Sequence, residues 1–394
     1  MRVALFTDTW LPQVNGVSRT LDRLVQHLTG RGNEVALISP RIPGRDSTSA
    51  AQPFIHIELP GVPVPMYPEL LFSAPLGRSN RAVLDTFNPA VVHCATESTV
   101  GWAGRRWALK SGRPLVTSFH TNFPEYAAGY GLGFLAPTAW RLLRRFHEAS
   151  FRTLCPSSTT RAELQSRGFH DRIRIWPRGV DCDRFSPSHR SLSRREELAP
   201  GAQVVVLYVG RLAAEKRLDI LMDAFKRVRE RSPVRVALVL VGDGPMRASL
   251  QGRRDPDVHL TGFLKGEELA KAYAAADIFA FPSDTETFGN VVTEAMASGL
   301  PVVGVNRGGV RDLILPDRTG RLVPPDDPDS FAAALLSLVY SPINRARMGH
   351  AGRLDACQRD WCAILDGVVS TYHEAAEGAG RPVASPRNGS RVIA

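Results

Sequence analysis

Two tandem α/β domains, each a doubly wound parallel sheet covered by helices, are predicted by three observations. The chain has 394 residues, too many for one compact core and suited to two of ordinary size. Short apolar runs alternate with helix-patterned stretches, as expected where a parallel sheet is covered on both faces. This alternation occurs twice, on either side of a polar, Pro-containing stretch at 181–202.

In the first half, RVALFT (2–7) reads as a buried strand. It is too short, and too soon followed by Asp8 and Pro12, to be a signal peptide. A helix is expected over 18–29, with Ser18 as N-cap and Gly30 and Gly32 as stops. EVALIS (34–39) is a second strand, and the runs at 90–95 and 115–120 flank a helix at 99–111. In the second half the strands are 204–210, 234–242, HLTGF, IFAFPS and 301–305. Their helices are 217–231, 267–276 and 290–298, the last closed by Gly299. A helical stretch at 345–375 is the last ordered element. From about 378 the tail is rich in Gly, Pro and Ser and is expected to be disordered. The domains are accordingly set at 1–185 and 200–354, with the carboxyl ends of two sheets facing across a cleft.

Composition excludes several classes. Hydrophobic content of 43% and charged content of 22% are those of a soluble globular protein. No apolar run approaches the roughly 18 residues of a membrane span. Cys94, Cys155, Cys182, Cys357 and Cys362 show neither CxxC pairing nor His spacing, so neither zinc nor a disulfide framework is expected. A cytoplasmic location follows. The formal charge is +10, and 141–178 alone hold nine Arg against Glu148, Glu163 and Asp171. The readings for that stretch are a solvated basic face, a surface for anionic lipid, or a nucleic-acid surface. No aromatic-rich basic sheet pattern accompanies the charge, so nucleic acid is not an expected partner.

The sharpest local feature is SDTETFGNVVTEAMASGLPVVG (283–304). A strand ends near Pro282, a polar loop follows, and a helix begins near Asn290. The backbone N–H groups of Phe288, Gly289, Asn290 and Val291 then sit at a helix N-terminus, whose unpaired donors and positive dipole end suit a diphosphate. Glu286 and Glu294 lie on the order of 10 Å apart along that axis, and each carboxylate accepts hydrogen bonds from hydroxyls. YVGRLAAEKRLDIL (208–221) adds Arg211 and Lys216 after the first strand of its half, a fork and a point charge for phosphate oxygens. Cations there take the place of a metal. DCD (181–183) matches a metal-binding pair in letters only. In the first half, Asn15-Gly16 joins a strand to a helix without G-x-G-x-x-G, which argues against a dinucleotide redox fold. Gly16 there allows a loop to meet the diphosphate from the other side. His120, at the end of the strand in SFHTNFPEYAAGYGLG (118–133), faces the same cleft.

These motifs, with the VGDGP turn (241–245) and WPRGVD (176–181), resemble the retaining GT-B glycosyltransferases of family 4 over Val3 to about Tyr372. They are most similar to bacterial glycolipid mannosyltransferases and sulfolipid-type synthases. The resemblance implies that Glu286 binds donor-sugar hydroxyls, Glu294 the ribose, and Arg211 with Lys216 the diphosphate. It places His120 beside the reacting sugar, at its 6-hydroxyl. It implies metal-free transfer of a mannose- or glucose-type hexosyl group from a GDP- or UDP-sugar, and a last helix (about 355–376) that packs back on the N-terminal domain. Some guanine-using relatives carry an Asp where this chain has Leu264-Lys265-Gly266, a departure that weighs against GDP. The expected acceptor is a membrane lipid or glycolipid. GVPVPMYPELLFSAPLG (61–77) is apolar, and 134–151 set Trp140, Leu143 and Phe146 among Arg141, Arg144 and Arg145, the mixture an interfacial helix needs. Peripheral contact with the inner face of the membrane is expected from it. The alternatives are a soluble or polysaccharide acceptor and a nucleotide-sugar epimerase of the same fold.

Overall fold

Val204–Val209 and Val236–Val241 place apolar side chains on both faces, and every residue in them is buried. Such strands are stable only inside a parallel sheet with cover above and below. The computed structural model describes residues 1–13, 15–42, 52–64, 67–122, 124, 133–253 and 255–378. The tail expected to be disordered, and most of 123–132, lie outside the described residues.

The first strands are β1 Arg2–Phe6, β2 Glu34–Pro40, β3 Ile55–Leu59, β4 Gly61–Val64, β5 Tyr67–Ser73, β6 Val91–Cys94, β7 Leu115–Ser118, β8 Arg152–Cys155 and β9 Ile173–Ile175. They form a seven-stranded sheet in the order β3-β2-β1-β6-β7-β8-β9, while β4 and β5 make an antiparallel pair of their own. The second set is β10 Val204–Val209, β11 Val236–Val241, β12 Val258–Gly262, β13 Ile278–Phe281, β14 Val302–Val305 and β15 Gly320–Val323. These are parallel neighbours in the order β12-β11-β10-β13-β14-β15. In each sheet the order reverses beside its first strand, the doubly wound arrangement expected. Internal packing divides the chain into Met1–Ser118 with Ala149–Thr153 and Gly367–Ala394, and Phe119–Glu148 with Leu154–Asp366.

Four local expectations are corrected. The first helix spans Gly16–Gly30, and its cap is Asn15, not Ser18. The Asn15 side chain accepts from the amides of Val17 and Ser18, at 3.0 and 2.9 Å, while Ser18 Oγ accepts from the Asn15 amide at 3.0 Å. Both residues belong to one reciprocal capping box, so Ser18 lies inside the helix. The stretch 345–375 is two helices, Pro342–Cys357 and Trp361–Gly378. Asp360 separates them by accepting the Ala363 amide at 2.7 Å and so capping the second. Cys182 and Cys357 form a disulfide across a sequence separation of 175, which spacing rules for neighbouring cysteines do not detect. Finally, Leu143 and Phe146 pack inward and Trp140 stacks on Phe119, with ring centroids 6.1 Å apart. The apolar side chains left to solvent on helix Ala136–Glu148 and the turn before it are Phe134, Leu135 and Leu142.

In the first unit, Tyr372 of the last helix meets Nδ1 of His93 at 2.6 Å, and His93 Nε2 meets Ser118 Oγ at 2.6 Å. Both rings are fully buried. Burial holds His93 neutral by pushing its pKa from 6.5 down to about 3. Between those values the unfolded chain binds the extra proton, so unfolding free energy should fall as pH drops from 6.5 toward 3. Urea unfolding across that range should show a shallower acid slope for His93→Asn than for the wild type; equal slopes would mean that folded His93 takes up a proton.

Candidate active site

β13 delivers the chain into the loop 283–289, and helix Asn290–Ala297 leaves it. The entry residue, Gly289, has φ 101°, a left-handed conformation open to glycine and costly for a residue with Cβ. A second glycine is required by close approach. A Cβ on Gly309 would stand 2.2 Å from the Thr287 carbonyl oxygen. The Gly309 amide instead donates to the Glu286 carbonyl at 2.6 Å. The loop backbone is thereby pressed onto 308–309 with no room for a side chain.

That shape aims Glu286. Its Oε1 accepts from Ser283 Oγ at 3.2 Å and from the Lys216 ammonium. Lys216 comes from the short turn Ala214–Lys216 beyond β10. β10 and β13 are neighbours where the strand order reverses, so their loops meet at the point where open α/β sheets bind ligands. The two charged side chains are only 14% and 17% exposed, so their attraction is less screened than at a surface. Glu294, one turn inside the helix, is buried and accepts from the Tyr273 hydroxyl at 2.9 Å.

His120 lies two residues past β7 and is buried. Its carbonyl accepts from Thr287 Oγ1 at 2.6 Å, which ties it to the loop next to Glu286. Its Nδ1 meets the Arg178 guanidinium at 2.7 Å. Arg178 is 4% exposed, so it leaves the basic face to which its charge was assigned. Burial pushes its pKa down to about 9, still cationic at neutral pH.

The structure therefore brings Lys216 and the main chain of His120 against the loop that carries Glu286, with Glu294 on the helix that follows. Arg211 stands just beyond β10, its carbonyl accepting from Tyr208 at 2.9 Å. The Phe288 ring is buried in the core, so its contribution to a ligand would be its amide, as for Gly289; Asn290 and Val291 open the helix. Asn15 and Gly16 belong to the other unit. There Asn15 also donates to Thr9 Oγ1 at 2.7 Å, which commits its side chain to shaping the helix entrance. Asp181 of the DCD triplet accepts the Arg184 amide at 3.0 Å and shapes a turn. Ser283, Thr287, Gly308, Gly309, Tyr273 and Arg178 shape the site as well, without standing out as site residues in the sequence. The adjacent glycines in NRGGVRD and the Arg in WPRGVD were visible signals, but their contacts were not.

Comparison with known proteins gives two family matches along the chain. Residues 14–184 match the family described as Glycosyltransferase Family 4, and 203–341 match Glycosyl transferases group 1. A GDP-mannose-dependent alpha-mannosyltransferase of Mycobacterium tuberculosis is 38% identical over 96% of this chain and 97% of its own length. This chain belongs to glycosyltransferase family 4. A sulfoquinovosyl transferase of Arabidopsis thaliana is 31% identical, over 95% of this chain and 74% of its own. The solved sucrose-phosphate synthase of Thermosynechococcus elongatus, at 22% identity, superposes with a TM-score of 0.78 over 95% of this chain and 98% of that one, which shows the GT-B fold. The protein is a glycosyltransferase that uses a nucleotide-sugar donor.

In this transferase Gly309→Ala would force a methyl against the Thr287 carbonyl and displace Glu286. The expected result is a loss on the order of 100-fold in kcat/KM for the donor, with the far-ultraviolet circular dichroism unchanged. Full activity in that variant would show that the loop has slack.

Proposed function

We propose that this transferase moves a mannosyl group from GDP-mannose to a hydroxyl of a membrane glycolipid, retaining the anomeric configuration and using no metal ion. The observation that carries the reading is the Lys216–Glu286 pair at the switch point between β10 and β13, in a chain 38% identical to a protein named for GDP-mannose. Lys216, with Arg211 and the positive end of helix Asn290–Ala297, meets the charge that develops on the departing diphosphate. Phe288, Gly289, Asn290 and Val291 supply amides there. Glu286 accepts from donor-sugar hydroxyls, Glu294 from the ribose with Tyr273 holding its other oxygen, and His120 lies against the sugar. The bond from the anomeric carbon to the diphosphate oxygen breaks, and the acceptor oxygen bonds to that carbon from the same face. Its proton passes to a phosphate oxygen of the leaving group.

A glycolipid acceptor is supported by the surface of helix Ala136–Glu148 and the turn before it. Phe134 and Leu142 are 75% and 51% exposed, with Arg141, Arg144 and Arg145 also exposed on the helix. In the other unit, Val62 and Phe72 face solvent as a cross-strand pair. Among the described residues no helix is long and apolar enough to cross a membrane, and a peripheral position at the inner membrane face suits this surface. A UDP-sugar donor is the second reading, favoured by Leu264-Lys265-Gly266 in the place of an acidic residue.

Assayed with GDP-mannose and UDP-glucose on a glycolipid acceptor without divalent ions, the enzyme should consume GDP-mannose and give an α-linked product; turnover of UDP-glucose alone would replace the donor assignment. Lys216→Ala should lower kcat by about 100- to 1,000-fold, and an unchanged kcat would remove Lys216 from the chemistry. In co-sedimentation, binding to anionic but not neutral vesicles is expected, and Phe134→Ser with Leu142→Ser should weaken it. Absence of binding to both kinds of vesicle would argue for a soluble acceptor.

A further inference from the structure

Arg178 is a buried cation to which the transfer chemistry above gives no task. It follows β9 in WPRGVD and is 4% exposed. One nitrogen of its guanidinium donates to the carbonyls of Trp176 and Pro177, at 2.5 and 3.1 Å. The other meets Nδ1 of His120 at 2.7 Å. The Trp176 ring lies beneath the guanidinium, 4.7 Å from Cζ, and also meets the His120 ring edge-on, with centroids 5.3 Å apart. None of these partners carries a negative charge. A guanidinium held in the interior by neutral acceptors is costly, so the arrangement calls for a use.

The chemistry of the contact decides what that use is. A guanidinium has N–H donors and no acceptor. Nδ1 of His120 must therefore accept, and the hydrogen of the neutral ring sits on Nε2. We propose that Arg178 is a positioning residue for glycosyl transfer, which locks His120 into the Nε2–H tautomer and fixes its ring plane, so that His120 meets the donor sugar as a hydrogen-bond donor. This rests on the placement of His120 against the sugar proposed above.

The main chain of His120 is held separately, by Thr287 Oγ1 on its carbonyl at 2.6 Å. Thr287 thus sets where the residue stands, and Arg178 sets how its ring is turned and where its hydrogen lies. A sugar hydroxyl that accepts from Nε2 keeps its own hydrogen for an acceptor such as a carboxylate. With the opposite tautomer, Nε2 would accept, and the hydroxyl would have to donate to it instead. Lysine at 178 could supply a donor to Nδ1, but not the planar fork for the two carbonyls or the flat face against the indole.

The test is nitrogen NMR on protein labelled with ¹⁵N-histidine, the His120 signals being identified by their loss in His120→Asn. At neutral pH the wild type should show a bare Nδ1 and a protonated Nε2. A protonated Nδ1 in the wild type overturns the proposal without any transfer assay. In Arg178→Met the tautomers should mix or reverse. Its kcat should fall on the order of 100-fold, while KM for the donor stays within about threefold. Arg178→Lys should recover the Nε2–H signal and part of the rate, a rescue that loss of packing alone would not produce. An Nε2–H ring with wild-type kcat in Arg178→Met would also overturn the assignment. Should that variant not fold, the wild-type spectrum and Arg178→Lys decide the matter. Wild-type turnover by His120→Asn, with the tautomer as stated, would instead refute the placement of His120 against the sugar.

Discussion

The carbonyl oxygens of Glu286 and Thr287 lie against the open faces of Gly308 and Gly309, and the donor side of the protein is assembled on that contact. Because the loop backbone is immobilised there, two side chains and one helix take their directions from it. Glu286 turns to Lys216 and Ser283, Thr287 turns to the main chain of His120, and Gly289 starts helix Asn290–Ala297. The residues involved come from four separate stretches of sequence. A glycine pair with no chemistry of its own is thus the datum from which reactive groups are positioned, as expected where transfer depends on placement to within a fraction of an ångström.

The charges around this loop are treated in different ways. Lys216 and Glu286 neutralise each other in a partly buried setting. Glu294 is buried with a tyrosine hydroxyl on one oxygen. Among the described residues Arg178 is buried against neutral acceptors. The first two arrangements leave carboxylate lone pairs able to accept from hydroxyls. The third stores a full cation beside an imidazole, and the buried indole of Trp176 serves as its floor. Elsewhere the same economy is structural. Asp8, just beyond β1, is buried and accepts from Thr96 and from the amides of Val100 and Gly101, so it caps helix Thr99–Lys110 and orders the end of the first sheet.

Most of the framework was legible because it depends on patterns local to the chain. Strands such as Val204–Val209 are continuous apolar runs, and helix Asn290–Ala297 is announced by Gly289 before it and Gly299 after it. What stayed illegible depends on partners distant in sequence. The WPRGVD motif marks Arg178 among the nine arginines of its stretch, but its contact with His120, 58 residues earlier, is what shows its place in the interior. Cys182 and Cys357 are likewise too far apart for spacing to pair them. The inward turn of Leu143 and Phe146 was missed because an amphipathic helix reads alike whether its apolar face meets a core or a lipid surface. Asn15 and Ser18 were both valid caps by residue type, and only their mutual hydrogen bonds assign the roles.

The contact between His93 and Tyr372 joins the sheet of the first unit to a helix that begins at Trp361. On a ribosome, that unit emerges first and is completed last. β6 must carry an imidazole that still lacks its tyrosine through the synthesis of everything between. The second sheet, whose strands run from Val204 to Val323, can already have closed by the time Tyr372 leaves the exit tunnel. The N-terminal half of this enzyme is therefore the one exposed to chaperones and proteases during translation, and a prematurely terminated chain would lack the piece that closes it, however complete its donor site.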